Sequence, residues 1–222
     1  MTEQLYILPI LLLSVVVHEV AHGYMALRLG DPTAKSLGRL TLNPLPHIDP
    51  IGSIFIPLFS LLTAGTVFIA WAKPVPVDAS NFSRPRRDDL LVSIIGPGSN
   101  ILMAFVCSVA VILLGLFAGV VDASGSVLAS EVLEFLLKMF YGGIYLNIIL
   151  AVFNLIPVPP LDGSHVLAAF LPLRLAHGYR SIGFAGILLL IFLMRVPWVN
   201  AAFYVVIRGI FVPFDSLITL FS

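Results

Sequence analysis

His18-Glu19-Val20-Ala21-His22 puts two imidazoles and a carboxylate within five residues. On a helix, positions four apart are separated by about 40° around the axis and about 6 Å along it. Both imidazoles then face one side and can grip one metal ion. Glu19 falls beside that ion, where it can take a proton from water. Zinc needs a third protein ligand, with the fourth position open to water. The other stretch able to supply it is Asn154-Leu-Ile-Pro157-Val-Pro159-Pro160-Leu-Asp162-Gly163. Three prolines remove backbone donors and clash with preceding carbonyls, so no helix runs through it. Asp162 is expected to project into the resulting gap, and Gly163 lets the chain turn back into helix. Capping a helix that starts near Ser164 is the lesser alternative for Asp162, and capping and ligation are compatible.

These residues lie in very apolar sequence. Of 222 residues, 59% are hydrophobic and 11% charged, with a mean hydropathy of +1.05. Soluble domains carry about 25% charged residues, so the surplus apolar side chains are expected to face lipid. A charge at mid-bilayer costs at least about 2.5–3.5 kcal/mol, so two imidazoles and a carboxylate in one membrane helix need a shared partner, and a metal ion supplies one. Twelve basic and twelve acidic residues cancel, and no basic run interleaves with aromatics, which excludes nucleic-acid binding. Cys107 is the one cysteine, so no disulfide framework forms; it reads as a small apolar residue of a helix. The first apolar run, 5–29, is not expected to be a cleaved signal: Met1–Gln4 has no Lys or Arg, and the run is long and carries the His-Glu-His set.

The elements that position these residues are apolar segments at 5–29, 51–72, 90–121, 132–171, 182–194 and 198–221. The expected fold is an all-α polytopic membrane protein of five to six hydrophobic segments in a single domain spanning 1–222, with a core at 5–171 and C-terminal helices at 182–221. The fourth segment is about twice the length of a span and must break at its prolines. Basic residues mark the loops after the first segment (Arg28, Lys35, Arg39), the second (Lys73, Arg84, Arg86, Arg87) and the fourth (Arg174, Arg180), whereas 122–130 has none. Positive loops prefer the cytoplasm. A re-entrant 51–72 segment satisfies all of them; a spanning one puts two basic loops on opposite sides. The alternation in 37–43 and 72–77 predicts short strands at the membrane surface, the second held to an edge by Pro74 and Pro76.

The two motifs together resemble the site-2 protease family of intramembrane metalloproteases, and Gly96-Pro97-Gly98-Ser99-Asn100 looks like its third signature. Gly30-Asp-Pro-Thr-Ala-Lys35 and Asp49-Pro-Ile-Gly52 resemble the compact, bacterial-type branch; no stretch is polar or long enough for a PDZ domain. The resemblance covers about Val17 to Val166. It implies one Zn2+ held by His18, His22 and Asp162, with Glu19 catalytic and Asn154 and Asn100 holding substrate backbone or oxyanion. It also implies an integral protein of a bacterial-type cell membrane, with its active site nearer the cytoplasmic side. The substrate would be another membrane protein, cut in or near a transmembrane helix that must unwind, because a helix satisfies its own backbone groups. Edge-strand pairing with 37–43 or 72–77 is one way to hold the extended segment.

Two rivals use the same residues. A membrane zinc transporter needs histidines and an aspartate but no glutamate after the first histidine. A proteolytically inactive binding protein of the same fold has no use for Glu19 either. Among the remaining polar residues, His165 could support the metal site or simply start a helix. His47 and His177 read as solvated, and Arg208 and Asp215 share a helix face.

Overall fold

The computed structural model describes residues 6–55, 72–183 and 185–221. Nine α-helices occur among them: α1 Ile7–Arg28, α2 Thr33–Ser36, α3 Pro85–Leu116, α4 Ala118–Ser124, α5 Val127–Asn154, α6 Asp162–Phe170, α7 Leu173–Arg180, α8 Ala185–Arg195 and α9 Pro197–Phe221. Helices α1, α3, α5 and α9 are long and apolar enough to cross a bilayer, and α7 with α8 would make a fifth, bent span. The protein is an integral membrane protein. Its outer face fits that role: Leu102, Leu113, Leu116, Leu188 and Trp198 are all more than half exposed.

Punctuation in the sequence sets the helix limits. Gly30, at φ 107°, turns the chain after α1, a backbone conformation that disfavours side chains with a Cβ. Pro85 occupies the first turn of α3, where its missing donor is not needed. Ser126 caps α5 by accepting from the Ala129 N–H. The apolar stretch 132–171 is two elements. The three prolines end α5 at Asn154, and helix resumes at Asp162 as α6.

Helices α1, α3 and α5 pack into one bundle, with α9 against α3 and α5. Its core holds Ile10, Ala104, Cys107, Ile144, Ile148 and Ile207. Cys107 is a buried free thiol. A Cβ on Gly143 would stand 2.8 Å from Ile10 Cγ1 and 3.1 Å from Cys107 Sγ. The missing side chain lets three helices close up, the usual small-residue contact of membrane bundles. The same bundle encloses polar residues with no exposure at all: Ser14, Asn100, Ser108 and Asn147.

Neither expected strand is formed among the described residues. Pro74 and Pro76 leave the second stretch few donors, and two of these bond outside any ladder. The Lys73 N–H donates to the His47 carbonyl at 2.9 Å, and the Val75 N–H donates to Glu19 Oε2 at 2.7 Å. Residues 72–78 instead form an extended strap over the α1 face that carries Glu19. Asp31, with no exposure, anchors its far end. It accepts from the Asp78 N–H at 2.7 Å, Asn81 Nδ2 at 2.8 Å and the Thr33 N–H at 3.0 Å. Burial works against the Asp31 charge, but the Thr33 hydroxyl and these donors outweigh it and hold its pKa below the ordinary carboxylate value. His47 is 2% exposed rather than solvated, with Nε2 3.0 Å from the Thr41 carbonyl. The 51–72 segment, expected to re-enter the membrane, falls mostly on 56–71, outside the described residues.

Candidate metal centre

His18 and His22 project from one face of α1, ring centroids 4.6 Å apart and nearly perpendicular. Their Nε2 atoms approach to 3.0 Å. Asp162 opens α6 directly after the proline break. Its Oδ2 lies 3.3 Å from each of the two Nε2 atoms. The break therefore brings a carboxylate from 140 positions away in sequence to the imidazole pair.

The donor chemistry of this trio fits a cation. His22 Nδ1 is 2.7 Å from the Val92 carbonyl. A carbonyl only accepts, so Nδ1 carries the proton and Nε2 presents a lone pair to the centre. Asp162 Oδ2 is buried without a hydrogen-bond donor. Lone pairs this close repel unless something positive lies among them, and an orphaned buried oxygen needs an explanation. Two imidazole nitrogens and a carboxylate oxygen within 4.8 Å of one another are a known zinc donor set.

Helix α3 reaches this centre through a glycine. A Cβ on Gly96 would lie 2.5 Å from His22 Cε1 and 2.7 Å from His18 Cε1. Only a residue without a side chain lets α3 lie across both rings. Gly163 serves the α5–α6 turn in the same way, because a Cβ there would meet the Leu155 and Ile156 carbonyls.

A cavity of about 360 Å³ opens beside the trio, lined by Glu19, Asn154, Asp89, His165 and Arg180 as well as the three candidate ligands. Glu19 is oriented by the strap through the Val75 N–H. Asn154 Nδ2 donates to the Leu150 carbonyl at 3.0 Å. Asn100 is not a lining residue. It is fully buried, with Oδ1 2.6 Å from His18 Nδ1 and Nδ2 donating to Asn147 Oδ1 at 3.0 Å. Its geometry thus differs from the substrate contact expected of it, because both ends of its amide are taken up inside the bundle.

Three neighbours were not evident from sequence. Asp89, 8% exposed, faces His165 Nδ1 at 3.2 Å and accepts from Arg180, tying α3 to α6 and α7 at the cavity wall. Asp88-Asp89 ahead of an apolar run was the available signal, since buried acids need partners. Asn147 inside the apolar run of α5 was another. Gly96 gave no signal of contact with the histidines. Elsewhere, Asp215 accepts from the Tyr141 hydroxyl at 2.8 Å, and His177 and Arg208 are exposed.

The model of peptidase family M50 matches residues 6–194. A Bacillus subtilis protein named "Putative zinc metalloprotease YwhC" is 40% identical over 167 residues, covering 75% of this chain and 69% of that protein. The protein named "Putative zinc metalloprotease Rip2" in Mycolicibacterium smegmatis is 29% identical over 200 residues, covering 90% of this chain and 70% of that one. No solved structure matches. With the matching model spanning nearly all the described helices, and a two-histidine, one-aspartate donor set beside a glutamate, the chain belongs to peptidase family M50, the site-2 protease family, and is a zinc metalloprotease.

Proposed function

We propose that the chain is an intramembrane zinc endopeptidase that cuts other membrane proteins in or next to a transmembrane helix. One observation carries this reading: His18, Glu19 and His22, on a helix apolar enough to cross a bilayer, converge on one cavity with Asp162, which opens the short helix after the proline break. His18, His22 and Asp162 would hold the ion. Zinc there supplies a Lewis acid that lowers the pKa of water toward about 7 and polarises a carbonyl.

The remaining steps belong to the protein. Glu19, held by the Val75 N–H, accepts a proton as water attacks the scissile carbonyl, and passes it to the departing amine. Asn154 spends one N–H on Leu150 and can offer the other to the developing oxyanion. The strap 72–78 walls the cavity next to Glu19, so an unwound substrate segment would lie along it.

Water and substrate enter from the end of the bundle where α1 finishes and α3 begins. Arg28, Lys35, Arg39, Arg84, Arg86 and Arg87 cluster there in sequence, which makes that end cytoplasmic. His22 and His18 lie six and ten residues before Arg28, so the centre sits about 9–15 Å along the helix from that end. This depth lies inside a hydrocarbon layer about 30 Å thick.

Purified Glu19→Gln protein tests the assignment on a model membrane substrate. The amide can still accept from Val75, so zinc content should stay at wild-type level while cleavage falls about 10²–10⁴-fold. Undiminished cleavage by this variant refutes the role of Glu19. Zinc flux by wild-type protein in sealed vesicles, without cleavage, would support the transporter reading instead.

A further inference from the structure

A chain of hydrogen bonds with no exposed member runs from α5 to the metal centre. Asn147 Nδ2 donates to the Gly143 carbonyl at 2.9 Å and to Ser14 Oγ at 2.8 Å. Asn147 Oδ1 accepts from Asn100 Nδ2 at 3.0 Å, and Asn100 Oδ1 faces His18 Nδ1 at 2.6 Å. Ser14, Asn100 and Asn147 are each 0% exposed.

This chain has a polarity, and a backbone carbonyl sets it. Gly143 O can only accept, so the Asn147 atom facing it must be the NH2 group. Its oxygen then faces Asn100, whose NH2 group must donate to it. The Asn100 oxygen is left for His18, so His18 Nδ1 must carry a proton. The Nε2 lone pair is thereby turned toward His22 and Asp162. Reversing any link would oppose two donors or two acceptors where no water can relieve the clash.

We propose that Asn147 is a positioning residue for the metal: acting through Asn100, it dictates which ring nitrogen of His18 is free to bind zinc. The inference rests on the reading of His18 as a zinc ligand. His22 needs no such relay, because it takes its own backbone carbonyl from Val92. Asn100 is the middle link, which accounts for its place inside the bundle and away from the cavity.

The test uses the full chain in detergent, with zinc affinity measured by competition against a chelator and the apo-protein melting midpoint as a fold control. Asn147→Leu removes both ends of the relay while filling similar space. Zinc affinity should fall about 10–100-fold, the usual cost of losing an outer partner of a metal-bound histidine. Combining it with Asn100→Asp should restore affinity to within about threefold of wild type, because a carboxylate only accepts and fixes the His18 tautomer unaided. Asn100→Asp alone should bind zinc worse than the combination, since the carboxylate then faces the Asn147 oxygen. A packing role for Asn147 predicts no such rescue. Wild-type affinity in Asn147→Leu overturns the proposal, and so does an impaired variant that Asn100→Asp fails to rescue. If the leucine variant does not fold, Asn147→Ser, smaller and polar, is read by the same criteria. His18→Ala separates the two readings. If it keeps wild-type affinity, the ligand assignment itself is wrong; if it loses zinc while Asn147→Leu does not, only the relay is.

Discussion

Replacing Gly96 by alanine changes one hydrogen to a methyl group at the crossing of α1 and α3. The added carbon would stand 2.5 Å from His22 Cε1, 2.7 Å from His18 Cε1, and nearer still to His22 Nε2, where ordinary contact begins at 3.4 Å. The His22 ring must therefore retreat by more than about 0.9 Å and the His18 ring by about 0.7 Å, or α3 must move by as much, whereas metal–ligand distances tolerate only about 0.2 Å. Neither ring can swing aside freely, because each Nδ1 is held, one by Val92 and the other by Asn100. A misplacement near 1 Å costs about 10²-fold in a reaction that depends on geometry. Gly96→Ala should therefore lower zinc affinity and cleavage by at least about 10²-fold. Helix propensity moves the other way, gaining about 1 kcal/mol for Gly to Ala. The variant should thus melt close to wild type in excess chelator while losing the extra stability that zinc gives the wild-type protein. Chelator competition together with melting curves with and without zinc reads both quantities. Wild-type zinc affinity in Gly96→Ala would refute the close packing of α3 on the two histidines.

Removing the third candidate ligand with Asp162→Ala should abolish stoichiometric zinc in the purified protein, measured by elemental analysis; retained zinc would mean another group completes the set. Gly163→Ala pushes a methyl into the Leu155 and Ile156 carbonyls, so it should displace Asp162 and weaken zinc binding about 10-fold or more, read by the same competition. Asp31→Asn keeps the side chain's shape but loses the charge that gathers four donors, and should lower stability by about 1.5–3 kcal/mol in thermal or denaturant unfolding. Because the folded-state pKa of Asp31 is lowered, its stabilisation is complete above the unfolded carboxylate pKa, about 4. It is lost as pH falls through the lower folded value, and Asp31→Asn should flatten that acid limb.

Some of this protein could be read directly from its residues. Two histidines four apart share a helix face because helical periodicity is local, and their Nε2 atoms do meet. Pro157, Pro159 and Pro160, three within four positions, interrupt the fourth apolar segment because each removes a donor and clashes with a preceding carbonyl, whereas the single Pro97 and Pro213 are carried inside α3 and α9; α5 and α6 are the two pieces. Scarcity of charge placed the chain in lipid. The alternation in 72–77 predicts a strand, but alternation does not reveal where the few remaining donors will bond, and here the Val75 N–H goes to Glu19. What only the tertiary structure decided depends on atoms far apart in the chain meeting within a few ångströms. Asp162 comes to the imidazoles across 140 positions, Gly96 lies against their rings, and Asp89 gathers His165 and Arg180 at the cavity wall. The direction of the Asn147–Asn100–His18 chain follows from one carbonyl, Gly143 O. Hydrogen-bond polarity passes through contacts in space, and no spacing along a sequence records it.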